Sequence, residues 1–160
     1  MNQQIRTYAP LFGIISLIVV LTLGTSWYQG FNDQSLMFNF MGFFFLIFGA
    51  FKLINLANFA QAYREYDLLA KVVPGYAYLY PVIELVLAAF YLMHTQAAML
   101  HACTLVLMVI NALGVFLELQ KNRTIVCACL GAVFKVPMTY VSLAEDLLMA
   151  VMAAFMLLRG

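Results

Sequence analysis

Leu36-Met-Phe-Asn-Phe-Met-Gly-Phe-Phe-Phe-Leu-Ile-Phe-Gly-Ala-Phe-Lys52-Leu-Ile-Asn-Leu-Ala57 is the stretch on which the fold turns. It has the length a helix needs to cross a bilayer core about 30 Å thick, roughly 20 residues, and Lys52 is its only charge. Similar apolar windows lie near residues 9 to 28, 77 to 93, 97 to 118 and 138 to 158, which predicts about five spans. In lipid each span must satisfy its own backbone hydrogen bonds, and no alternating pattern of the kind that builds a barrel is present. The expectation is an all-α, polytopic transmembrane helix bundle, a four-helix core plus an additional span.

Composition leads the same way. Of 160 residues, 66% are hydrophobic and 9% charged, with a mean hydropathy of +0.96, so a water-soluble domain could not cover its surface. Residues 1 to 160 therefore read as a single integral membrane domain whose first partner is the lipid bilayer. The net charge is +1 with scattered Lys and Arg, which excludes the basic footprint of a nucleic-acid binder. Arg6 precedes an apolar run from Leu11 to Leu23 that is long for a signal core, and Gly24-Thr25-Ser26-Trp27 is a poor cleavage site; the run reads as an uncleaved anchor. Three cysteines do not make a disulfide framework.

Basic residues mark the cytoplasmic side. Arg6, Arg64, Lys71, Lys121, Arg123 and Lys135 fall on one side of a five-span arrangement, while the loops Gln29 to Ser35 and His94 to Gln96 carry no Lys or Arg. The amino terminus is expected in the cytoplasm, and Arg159 is the one dissenter. Residues 59 to 73 mix aromatic and charged side chains at helical spacing, as in an amphipathic helix lying at the interface and ended by Pro74-Gly75. Tyr76, Tyr78 and Tyr80 read as part of an aromatic belt.

Cys127-Ala-Cys129-Leu-Gly131 is the foremost candidate for chemistry. Two thiols one residue apart close a tight, easily reduced disulfide, suited to catalysis rather than to structure. They can equally hold a soft ion such as Cu(I), or be inert buried cysteines. Cys103 lies inside the fourth span, roughly 24 Å along a helix from its cytoplasmic end. It reads as a packing residue.

Lys52 and Glu84 are charges inside apolar windows, so either they pair, or Lys52 snorkels to the headgroups and Glu84 is protonated. Ser142-Leu-Ala-Glu145, followed by Asp146, has the spacing of a capping box. If the span instead begins near Pro137, both acids sit about two turns into the membrane near the cysteine loop, where a carboxylate can accept a thiol proton. Met149, Met152 and Met156 share a helical face and are either packing residues or thioether ligands. His94 and His101, seven apart, meet on one face if the fourth span starts early, and otherwise read as interface residues.

The run Phe43-Phe-Phe-Leu-Ile-Phe-Gly49-Ala-Phe-Lys52, followed by Tyr66-Asp-Leu-Leu and Tyr80-Pro81-Val-Ile-Glu84-Leu, resembles the MauE/DoxX family of redox-associated membrane proteins. Cys127-Ala-Cys129-Leu-Gly131 looks like the Cys-x-Cys-Phe-Gly element of the MauE-like branch, with Leu130 in place of the usual Phe, and the resemblance covers roughly residues 36 to 158. It implies a part in making or maintaining disulfides in exported proteins, with the Cys pair as the redox element. Similar chains also accompany heavy-metal-associated domains, which suits thiols on the reducing side.

The function expected is thiol-redox support at a bacterial cytoplasmic membrane, by disulfide/thiol exchange or electron transfer, as an accessory to a thiol-disulfide oxidoreductase with an exported thiol protein as partner. Cys127, Cys129, Glu145 and Asp146 carry it. The alternative is Cu(I)-type binding or transport at Cys127 and Cys129, aided by Met149 and Met152, with a metallochaperone as partner. No cofactor beyond that ion is implied.

Overall fold

The computed structural model describes residues 2–121 and 140–159, and within them every regular element is an α-helix. These are α1 (Asn2–Gln29), α2 (Asp33–Ile54), α3 (Leu56–Tyr66), α4 (Leu68–Val72), α5 (Tyr76–Leu92), α6 (Ala98–Gln120) and α7 (Tyr140–Arg159). Ala9–Gln29, Asp33–Ile54 and Ala98–Gln120 are long and apolar enough to cross a bilayer. α5 is a shorter apolar helix, and α7 is interrupted by Glu145 and Asp146. Large apolar side chains such as Val20, Val86, Phe90, Val106, Phe116 and Val151 point outward. Outer faces of that character belong in lipid, and the protein is an integral membrane protein.

Two helix pairs, α2 with α5 and α6 with α7, make the closest packing, and α1 lies along α2. In α1's apolar window 28% of residues are buried against 50% in α2, which makes α1 peripheral and α2 central. Gly42 and Gly49, two turns apart on one face of α2, let α5 approach: a Cβ at Gly42 would sit 2.6 Å from Leu92 Cγ, and one at Gly49 3.3 Å from Glu84 Cβ. That close approach carries Glu84 to the level of Lys52. The main core is ring-rich, with Phe38, Phe45 and Phe48 of α2 packed with Tyr91, Met108, Met149 and Ala153.

The connection between α2 and α5 departs from a single helix lying at the interface. It breaks at Asp67 because that side chain accepts the Ala70 N–H at 2.7 Å and starts α4. Nor does its aromatic face meet lipid: Phe59, Tyr63 and Tyr66 form a second core with Tyr80 and Val115. Tyr80 is thus a core residue and not part of an aromatic belt, since its ring lies 4.6 Å from that of Tyr63. Tyr78 does point outward, with the Arg64 guanidinium 5.8 Å from its ring. α6 meets the corner between α3 and α4 at Gly114, where a Cβ would lie 2.7 Å from the Tyr66 carbonyl oxygen.

Candidate functional site

Lys52 leaves the last turn of α2 and points inward. Its Nζ donates to Glu84 Oε1 at 2.5 Å, with both side chains buried. The ammonium also sits 4.8 Å from the Tyr80 ring centroid and 5.7 Å from that of Phe59. Two π faces and a carboxylate thus replace the water that a Lys would otherwise seek at the headgroups. Asn111 of α6 ties two phenols together: Tyr63 OH donates to its Oδ1 at 2.6 Å, and its Nδ2 donates to Tyr80 OH.

These groups face a cavity of ≈ 40 Å³, taken as the space open to the centre of a water molecule. A space of that size is large enough for a water molecule. The first two turns of α7 close it with Ser142, Glu145 and Asp146, so Lys52 and three carboxyl groups share one cavity wall. Glu84 Oε2 and Glu145 Oε1 are buried without a hydrogen-bond partner, leaving acceptor capacity turned on the cavity. Among the described residues that line it, Lys52 is the only cation. The described lining thus has more carboxyl groups than cations, and neighbouring carboxyl groups can exchange protons with one another.

A family model for the methylamine utilisation protein MauE matches residues 34–159. The chain belongs to the MauE family. No curated protein and no solved structure matches it. The matched range of this MauE-family chain begins at the start of α2 and runs through α7, so it holds every residue of the cavity and leaves out α1.

Cys127 and Cys129 lie outside the described residues, as do Arg123, Lys135 and Pro137. Glu145 and Asp146 are placed in the second turn of α7. Because α7 already begins at Tyr140, Ser142 is inside the helix and does not cap it, which corrects the capping-box reading. Cys103 is exposed on α6, and the packing role expected of it is corrected too: its neighbours on the inner face, Thr104 and Met108, are the ones that turn inward. Met149 and Met156 are buried in the apolar core, and Met152 is half-buried beside them. Among the described residues, no three His, Cys, Asp or Glu side chains are grouped so as to hold a metal ion.

His94 and His101 do not share a helix, because α5 ends before His94 and α6 begins at Ala98. His94 closes α5 in a left-handed conformation, φ 53°, and both rings pack instead on Phe38, at 5.2 and 5.7 Å. His94 Nε2 lies 3.1 Å from Asn39 Oδ1, and His101 Nδ1 lies 3.3 Å from Tyr91 OH.

Sequence reasoning passed over Tyr63 and Asn111 and took Tyr80 for a belt residue. An amide in the middle of an apolar window was a usable signal for Asn111, since such a group seeks a partner inside the bundle. Glu118, near the end of α6, was passed over as well: it accepts from Lys71 at 2.8 Å and from Lys121 at 2.9 Å, tying α4 to α6. Beside that tie lies Asp67, outside the spanning helices and fully buried. Burial pushes its carboxyl above the ordinary range, against the opposing pull of the Ala70 N–H.

Proposed function

We propose that this MauE-family protein performs thiol–disulfide exchange at a bacterial cytoplasmic membrane, with Cys127 and Cys129 as the exchanging pair and Glu145 and Asp146 as proton acceptors. The observation that carries the reading is the cavity: two carboxyl groups on the first turns of α7, next in sequence to the segment that holds the Cys pair, line it with the Lys52–Glu84 pair. Thiolate is the attacking species, so a nearby carboxylate that takes the thiol proton raises the exchange rate.

The step balances without any external oxidant. A thiolate of the Cys pair attacks the disulfide of a partner thiol protein and forms a mixed disulfide. The second Cys then attacks its neighbour's sulfur, the pair ends as a disulfide and the partner as a dithiol. The protons lost by the pair pass through the carboxyl groups to the partner's leaving thiolates. Run backwards, the same step oxidises the partner. The chain spans the membrane five times with its amino terminus in the cytoplasm, as Arg6, Arg64, Lys71, Lys121, Arg123 and Lys135 suggest. The pair then faces the reducing side and acts as the donor of electrons.

The test is labelling of single-Cys variants, made in a Cys103→Ser background, in sealed vesicles with a membrane-impermeant maleimide. Labelling of Cys127 and Cys129 from the cytoplasmic side, with loss of partner reduction in Cys127→Ser and in Cys129→Ser, is the expected result. Labelling from the exported side alone would overturn the orientation. A partner whose redox state ignores both substitutions would overturn the exchange chemistry.

A further inference from the structure

At the opposite end of the bundle the start of α2, the lead into α6 and the last turn of α7 enclose a second cavity. It measures ≈ 170 Å³ by the same water-centre criterion. Its polar lining is Gln34, Gln96, His101 and Arg159, and its apolar wall includes Phe155 and Met156. Among the described residues no carboxyl group lines it, so that lining is rich in N–H donors and carries the charge of Arg159.

Arg159 is the residue that the charge asymmetry of the loops leaves unexplained. Among the described residues it has no acidic partner within ion-pairing distance. Its guanidinium carbon lies 4.1 Å from the Phe155 ring centroid. A guanidinium beside a ring still offers its fork of N–H donors, which suits a planar or tetrahedral oxyanion. His101 is 4% exposed; Tyr91 OH donates to Thr104 Oγ1, so the ring meets that hydroxyl through Nδ1–H and is a wall of the cavity rather than one of its donors. The two Gln amides add donors at the rim, and Phe155 and Met156 offer an apolar surface beside the charge.

We infer that this cavity binds a phosphate-class oxyanion, held by the Arg159 guanidinium with Gln34 and Gln96. The oxyanion comes either from the headgroup of an acidic phospholipid, whose chains then lie along the Phe155 and Met156 wall, or from free phosphate. Binding there is independent of the thiol chemistry at the other end.

Full-length protein in phosphatidylcholine is titrated with phosphatidylglycerol in one arm and with inorganic phosphate in the other. Retention is read by native mass spectrometry and the unfolding midpoint by heating. Wild type retains one anion, saturably, and the midpoint rises. Arg159→Gln weakens retention at least about tenfold, the expected effect of losing one charge-assisted contact. Gln96→Leu weakens it less, Arg159→Lys keeps most of it, and Arg64→Gln, a basic residue at the other end, leaves it unchanged. Retention of the lipid but not of phosphate assigns the headgroup as the source; retention of phosphate alone assigns the free anion. Equal retention of both probes by wild type and Arg159→Gln, or a loss that follows Arg64→Gln instead, overturns the site.

Discussion

Substituting Lys52 by Met takes the ammonium away from Glu84 Oε1, 2.5 Å distant, and leaves a carboxyl group that is 2% exposed. An unpaired carboxylate there carries a desolvation penalty of several kcal/mol, but it can escape by taking up a proton. From an ordinary Glu value of about 4.3, supplying that proton at pH 7 costs about 3.7 kcal/mol, at 1.36 kcal/mol per pH unit. That figure caps what the orphaned carboxyl can cost. At pH 5 the cap falls to about 1 kcal/mol, so Lys52→Met should regain stability as pH falls. Glu84→Gln leaves the ammonium with Glu145 and Asp146 still on the cavity wall, so it should cost less than Lys52→Met at pH 7. The double variant, with neither charge, is less destabilised than the sum of the two. Unfolding of the purified protein in mixed micelles by added denaturing detergent, at pH 5 and pH 7, measures all three. A Lys52→Met variant that loses under about 1 kcal/mol at pH 7, or that regains nothing at pH 5, would refute the buried ion pair as an energetic unit.

Gly114→Ala should cost about 1–3 kcal/mol, because its methyl meets the Tyr66 carbonyl oxygen at 2.7 Å and backbone cannot rotate away. Gly42→Ala, whose nearest obstacle is the Leu92 side chain, should cost less in the same unfolding assay, and equal losses would count against the fixed corner. Asp67→Asn keeps a residue able to cap α4 but abolishes a titration. Since burial raises the carboxyl of Asp67, its own contribution to stability is greatest in acid and is lost as pH rises through that raised value, so the variant should lack that part of the wild-type pH dependence. Heating curves from pH 4 to pH 8 check it, and parallel profiles would remove Asp67 as the cause. Glu145→Gln should slow exchange at Cys127 and Cys129 and move the pH profile of their alkylation upward, while leaving that of Cys103 in place.

The all-helical membrane class was legible because lipid admits few alternatives: long apolar windows with single charges have no other solution. The cavity was legible only in fragments. Lys52 and Glu84 stood out as charges among Phe, Leu and Val, yet nothing in either window reports that Gly42 and Gly49 bring α2 and α5 close enough for contact. Phe59, Tyr63 and Tyr66 looked like residues of an interfacial helix because a ring facing lipid headgroups and a ring facing Tyr80 leave the same spacing in sequence. Ser142 and Glu145 matched a capping box by spacing alone; the helix starts at Tyr140, and that start turns a surface cap into a cavity wall. Asn111 stands out less in sequence than an ionisable group does, although its amide joins two phenols on the cavity wall.

If the Cys pair, which precedes α7 in sequence, acts with Glu145 and Asp146 as proposed, the charge in that wall bears on which chemistry it can support. The described lining holds one ammonium and three carboxyl groups. Thiol–disulfide exchange moves a pair between a dithiol and a disulfide, both neutral at rest, so neither state of the proposed pair would add charge beside those carboxyl groups. Two thiolates holding Cu(I) carry a net charge of about −1, and at the low dielectric of a bundle interior that charge is repelled by nearby carboxylates on the order of a kcal/mol or more each. Loading the metal would force the carboxyl groups to take up protons, and neutralising one of them would favour loading. Glu145→Gln therefore acts in opposite directions under the two chemistries. It removes a proton acceptor and slows exchange if the pair is redox-active, and it relieves repulsion and tightens Cu(I) retention if the pair is a metal site. A variant that exchanges thiols more slowly and holds copper no better is the outcome that the arrangement of Lys52, Glu84, Glu145 and Asp146 leads us to expect.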